Sequence, residues 1–127
     1  MTDTKKYCIE VKVKTVYLPE QSDARAEHFV FAYTITIVNT GNIASQLISR
    51  HWIIMNGDGS VHEVRGLGVV GEQPFLKPGE SFEYTSGTAI SAPAGSMKGS
   101  YQMVAEDGFY FSVEIPEFTL SVPRVLH

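Results

Sequence analysis

Gly66-Leu67-Gly68-Val69-Val70-Gly71 spells GxGxxG, and the residues after it, Glu72-Gln73-Pro74-Phe75-Leu76-Lys77-Pro78-Gly79, decide how it is to be read. In a dinucleotide-binding fold this pattern follows a strand and opens directly into a helix, whose free N–H groups and dipole meet a pyrophosphate. Here Pro74, Pro78 and Gly79 fall where that helix would run. Proline inside a helix removes a hydrogen bond and clashes with the preceding turn. The segment therefore reads as a loop among strands, and a doubly wound nucleotide-binding architecture is excluded.

On both sides of this loop the apolar residues recur every second position. Tyr7, Ile9, Val11 and Val13 alternate with Lys6, Cys8, Glu10, Lys12 and Lys14, the pattern of a half-buried strand. The apolar phase then moves to Val16 and Leu18, which predicts a bulge near Lys14 and Thr15. After a polar loop over 19–26, a strand from about His28 to Asn39 places Phe29, Phe31, Tyr33, Ile35 and Ile37 on one face. Asn39-Thr40-Gly41-Asn42 ends it with turn chemistry. A third strand, Gln46 to Met55, carries Trp52, and Asn56-Gly57 at the head of the next turn predicts a positive-φ hairpin. Ser60 to Arg65 returns as a strand into the glycine loop, expected to be a sharp turn or bulge joining two sheets.

Downstream, Pro78 and Gly79 suit the central positions of a turn before a strand over Ser81–Ser86. Gly87 to Ser96 reads as a loop. Met97–Ala105 and Phe109–Ile115 form a hairpin across Glu106-Asp107-Gly108, with Pro116 ending it and Phe118, Leu120 and Val122 marking a last short strand. No window favours a helix. Eight or nine short strands punctuated by Gly and Pro predict an all-β, antiparallel β-sandwich in one domain spanning 1–127. Trp52, Phe82, Tyr84, Tyr101, Phe109 and Phe111 fall on apolar phases and are expected in the core, with Tyr110 outside it.

At this length folding buries roughly two-thirds of the unfolded surface, enough for a core without covalent staples. A net charge of -4 argues against nucleic acid, which needs a concentrated basic face. Lys5, Lys6, Lys12 and Lys14 are interrupted by Glu10 and read as a solvated strand face guarding a sheet edge. Cys8 is the one cysteine, so neither an internal disulfide nor a cysteine-based zinc site is expected. The N-terminus leads into alternation rather than an apolar signal core, and Phe29–Tyr33, the longest apolar run, is far short of the ~18 residues of a membrane span. A cytoplasmic chain, without membrane contact and monomeric or weakly dimerised through a strand edge, is expected.

Candidate chemistry concentrates on the glycine loop. Gly66, Gly68 and Gly71 would allow close backbone approach to an anion, with Arg65 supplying charge and Glu72 closing the segment. The competing account is that the glycines only permit positive φ. His51, His62, Glu63 and Glu72 are the local metal-ligating types, but His62 and Glu63 are adjacent on a strand and point to opposite faces. The remaining histidines, His28 and His127, are expected in solvent. No catalytic constellation or cofactor motif is present: G-x-S-x-G is absent, and Ser60 and Ser81 lie in turn contexts.

Several blocks in order, Arg50-His51-Trp52-Ile53-Ile54, Glu63-Val64-Arg65-Gly66 through Pro74, Pro78-Gly79-Glu80-Ser81-Phe82-Glu83-Tyr84-Thr85-Ser86-Gly87 and Gly99-Ser100-Tyr101-Gln102-Met103, together resemble the bacterial ApaG family over nearly the whole chain. The resemblance implies a fibronectin type III-like, immunoglobulin-like sandwich of about seven to nine strands. It also implies an association with cobalt and magnesium tolerance, and kinship with domains appended to unrelated eukaryotic proteins. Two roles follow as expectations: a non-enzymatic module that binds a protein partner, or a sensor for a nucleotide or polyphosphate, with or without a divalent cation, built on the glycine loop.

Overall fold

The computed structural model describes residues 6–123; Lys5 and His127 lie outside the described residues. Eight strands follow in chain order: β1 (Ile9–Tyr17), β2 (Phe29–Asn39), β3 (Ser45–Asn56), β4 (Val61–Leu67), β5 (Phe75–Leu76), β6 (Ser81–Ile90), β7 (Ala94–Ala105) and β8 (Tyr110–Ser121). Every pairing is antiparallel. One sheet has the order β1-β2-β6, the other β4-β3-β7-β8 with β5 also on β3. The chain is thus the all-β sandwich its alternation predicts. The loop between β1 and β2 holds two single-turn 3-10 helices, Pro19–Gln21 and Ala24–Ala26. No helix among the described residues is long and apolar enough to cross a bilayer.

The core follows from the period of two. In β2 the odd residues Phe29 to Ile37 are buried and face β3, β7 and β8. Trp52 sits at the centre, 3% exposed, with Tyr33, Phe118 and Tyr101 at 5.5, 5.9 and 6.5 Å in edge-on contact. Such pairs contribute about 0.5–1.5 kcal/mol beyond their buried area. Tyr84 and Tyr101 bring two hydroxyls together at 2.5 Å inside this layer. Burial pushes the Tyr84 hydroxyl up to about 12 and raises that of Tyr101 as well.

Asn39 is a buried carboxamide where the chain crosses from β5 to β6. Its Nδ2 donates to the Ile43 and Leu76 carbonyls at 2.8 and 2.9 Å, and its Oδ1 accepts the Gly41 N–H at 2.9 Å. Its own N–H donates to the Glu80 carbonyl, and its carbonyl accepts the Gly79 N–H. The Lys77–Glu80 turn has Pro78 and Gly79 (φ +87) at its centre, as predicted, and carries the chain from β5 to β6.

Several expectations are corrected. β1 pairs with β2 from Ile9↔Asn39 to Tyr17↔Phe31 without a register shift, so there is no bulge at Lys14 and Thr15. Val16 simply faces solvent, and Tyr17 keeps the inward phase by packing on Phe31. In the β3–β4 turn the positive φ lies at Gly59, not at the Asn-Gly pair. β6 runs through Gly87 to Ile90 and β7 starts at Ala94, leaving a connection of three residues where a long loop was expected. Pro116 does not end a strand: β8 is continuous, and Pro116 and Glu117 together oppose Lys98 in a bulge. Proline is tolerated there because β8 is an edge. Phe109 is exposed at a turn and stacks on Tyr7 at 4.3 Å instead of entering the core; Tyr110 is exposed, as expected.

Candidate functional site

The glycine segment does not cross between sheets. β4 pairs with Ser49–Met55 of β3, β5 pairs with Ser45 and Gln46 on the same edge, and 68–74 is an excursion between two pieces of one sheet lane. Gly66 and Leu67 belong to β4, so the loop starts two residues later than the sequence suggested.

Each glycine has a local reason. A Cβ on Gly66 would lie 2.9 Å from the Arg50 guanidinium, which crosses it to donate from Nη1 to the Leu67 and Gly68 carbonyls at 3.0 and 2.7 Å. Gly68 has φ +62, and a Cβ there would collide with the Glu72 carbonyl. Gly71 has φ +81 and takes the second central position of a two-residue turn. That turn is closed by reciprocal bonds, Val69 N–H to the Glu72 carbonyl at 2.8 Å and Glu72 N–H to the Val69 carbonyl at 2.9 Å.

Its first central residue is Val70, at φ +43. Positive φ at both positions defines a type I′ turn, which ordinarily takes Asn-Gly or Asp-Gly. A β-branched residue there is an outlier. Yet Val70 is 54% exposed, so packing does not account for it. Its neighbour Val69 is fully buried and plugs the loop into the core.

The excursion is held firmly from β3. A register shift between Leu47 and Ser49 turns the Ile48 carbonyl outward, where it accepts the Gly68 N–H at 2.8 Å and Gln73 Nε2 at 2.9 Å. Gln46 Nε2 donates to the Gln73 carbonyl and Leu47 N–H to the Pro74 carbonyl, both at 3.0 Å. Leu67 and Phe75, at the two ends, are 75% and 46% exposed. Phe75 begins a cross-strand row, Phe75–Gln46–Val104–Tyr110, on the solvent face of the sheet.

Beside the loop lies an open groove of about 550 Å³ lined by Ser49, His51, Arg65, Leu67 and Gln102. His51 Nε2 lies 2.8 Å from Glu63 Oε1, and Arg65 Nη2 lies 3.6 Å from the same oxygen. Ser49 Oγ donates to Gln102 Oε1, and Gln102 Nε2 donates to Ser100 Oγ. His62 faces the opposite side of β4 from Glu63, and Glu72 lies in the far limb of the loop. Among the described residues no three His, Cys, Asp or Glu side chains converge on a metal-sized space.

The structure thus joins Arg65 to Glu63 and His51, while Gly66, Gly68, Gly71 and Glu72 shape the excursion. Arg50 and Val70 were not singled out from sequence. For Val70 a signal was present: a valine stands directly before glycine where a tight turn wants asparagine.

The family model described as the ApaG domain matches residues 19–105, a span that contains the whole loop. Protein ApaG of Nitrosomonas europaea is 77% identical over 127 residues with both chains fully covered, and that of Nitrosospira multiformis 69% over the same length. A crystal structure of the ApaA protein from Bordetella pertussis superposes with a TM-score of 0.93 at 55% identity, covering 95% of this chain and 98% of that one. By matched domain, full-length identity and shared fold, this chain belongs to the ApaG family.

Proposed function

We propose that this chain is a non-enzymatic binding module of the cytoplasm that engages a protein partner through the tip of the 67–75 excursion. The observation that carries the reading is Val70. An exposed β-branched side chain held at positive φ costs stability in the free protein, and such residues persist where the strain serves a site. Leu67 and Phe75 extend the apolar surface along the same lane, with Arg65 and Glu72 as polar flanks. The multiple bonds from Arg50, Gln46 and Gln73 pre-organise the loop, which lowers the entropic cost of docking.

Catalysis has less to draw on. The Ser49 hydroxyl of the groove donates to Gln102 while His51 bonds Glu63, so nucleophile and base are not paired. Anion sensing is likewise less favoured, because the N–H groups of Gly68, Val69 and Glu72 already donate to carbonyls. In this reading the link to cobalt and magnesium tolerance runs through the partner. Affinity capture from lysate, comparing the parent with Val70→Asn and with an unrelated sandwich, tests it. Proteins retained by the parent and lost with Val70→Asn support the reading; identical captures from all three baits end it.

A further inference from the structure

The two sheets differ in width by one strand. The smaller has three lanes; the larger has four, because β4 and β5 share one. β1 lies against β8 on one side of the sandwich. On the other, Tyr84 of β6 reaches Tyr101 of β7, and the Ser91 N–H after β6 donates to Asn56 Oδ1 at the end of β3, 3.0 Å away. β6 therefore covers β3 and β7, and among the described residues no strand fills the lane above β4, which holds only the Arg50 guanidinium at its Gly66 end.

The residues of β4 register this. His62, Val64 and Gly66 oppose Ile54, Trp52 and Arg50 and share their inward face. Val64 is nevertheless 40% exposed, beside a tryptophan that is 3% exposed. The inward face of β6 changes in the same place: between buried Tyr84 and Ile90 it carries Ser86 and Thr88. At one end the gap opens into a hollow of about 240 Å³ bounded by Ser60 and His62 on one side and Ala89 and Ile90 on the other.

The open edge of β6 is suited to pairing. Asn39 N–H donates toward Glu80 on the β6 side, whereas the Val30 carbonyl accepts from Leu18 on the β1 side. Odd residues of β2 thus bond β6. With the register Ile37↔Phe82 through Phe29↔Ile90, the even residues of β6 are the ones bonded to β2. Ser81, Glu83, Thr85, Gly87 and Ala89 turn their N–H and C=O groups to the strandless lane. That row contains neither lysine nor proline, the usual guards of an exposed edge.

We infer that this lane is a docking site for a single extended segment of a partner protein, added antiparallel or parallel to β6 as a fourth strand of the smaller sheet. A second copy of the chain paired antiparallel through β6 does not fit. Pairing β6 with its counterpart would drive the overhanging β4 of each copy into the space filled by β3 of the other. An isolated strand has no second layer behind it and enters freely. Its inward side chain over Val64 is apolar and the one beside the Arg50 guanidinium polar, while a Lys or Arg on its outer face lies near Glu83 and Glu80. This surface is separate from the 67–75 tip and stands independently of the role proposed for it.

The test is panning of a display library of unconstrained twelve-residue peptides on the intact protein, with Gly87→Pro as counter-selection. A proline at 87 removes an N–H that faces the lane while sparing the bonds to β2; Thr85→Pro provides the same block independently, and amide spectra establish that each variant is folded. Enriched peptides that alternate apolar and polar residues are expected. They should shift and protect the amides of Glu83, Thr85, Gly87 and Ala89, and lose at least about tenfold in affinity on either proline variant, the effect of one or two lost main-chain bonds. Val70→Asn should bind them unchanged. No enrichment over the proline variants, mapping to another surface, or a dimer joined through β6 would overturn the inference.

Discussion

Replacing Val70 by asparagine takes a β-branched side chain out of a left-handed backbone position and installs the residue that a type I′ turn ordinarily carries before glycine. The left-handed region costs an ordinary L-residue about 1–2 kcal/mol, and asparagine recovers most of that through local hydrogen bonding. Against this stands the buried half of the valine, which is 54% exposed; full burial of such a side chain contributes about 1.5–3 kcal/mol, so roughly half is lost. The net change in Val70→Asn therefore lies between a loss of about 0.5 and a gain of about 1 kcal/mol. Val70→Thr makes the comparison sharper, because threonine keeps the β-branch and the volume and hence the strain. The two variants should differ by about 1–2 kcal/mol, or roughly 4–8 °C in Tm for a chain of this size. Thermal and urea melts followed by Trp52 emission measure it, since that indole is buried between the sheets. If Val70→Asn melts together with Val70→Thr, or below it, the valine is not strained and the case for a site built on strain fails.

The loop glycines should rank in a fixed order. Gly68→Ala combines a positive φ with collision on a backbone carbonyl and is expected to cost well over 2 kcal/mol by denaturation, whereas Gly66→Ala only displaces the far end of Arg50 and should cost about 1 kcal/mol. Burial holds the Tyr84 proton up to about pH 12 and raises Tyr101 too, while unfolded tyrosine ionises near 10. Their contribution is intact below pH 10 and is lost as pH rises toward 12, by about 1.4 kcal/mol per pH unit for each hydroxyl. Urea midpoints at pH 9, 10 and 11 should show this slope in the parent and a flatter one in Tyr84→Phe/Tyr101→Phe. Asp107 accepts from the Tyr7 hydroxyl at 2.6 Å and the Phe109 N–H at 3.1 Å, with Lys6 Nζ 3.2 Å away, and these contacts depress its pKa in that order of effect. Its stabilising effect is present above the ordinary carboxylate range and disappears as pH falls through the depressed value. Carboxyl NMR titration should place Asp107 below the ordinary aspartate value, and Tyr7→Phe should move it back up.

Alternation made the strands legible because a side chain either faces the core or does not, and β2 reads almost letter for letter as buried and half-buried. Bulges were not legible, because a bulge is a relation between two strands. Val16 looked like a change of phase and is an exposed valine on a regular edge. Pro116 looked like a terminator and sits in a bulge that needs Lys98 across from it. The run Gly87-Thr88-Ala89 looked like the start of a loop because nothing in it is large; it continues β6, whose inner face is only partly covered there. At the candidate loop, composition announced glycines but not their separate duties, which depend on Arg50 from β3 and on the Glu72 carbonyl. β5 is two residues long, too short to carry any period.

Asn39 has a broader consequence. Its carboxamide needs two donors for the Ile43 and Leu76 carbonyls, so an aspartate of the same shape would present oxygen to oxygen. One hydrolytic event at that nitrogen would set the end of β2, the turn after it and the start of the crossover against one another. That amide therefore acts as a clasp between the end of β2 and the facing sheet, so damage at one nitrogen loosens both layers at that end.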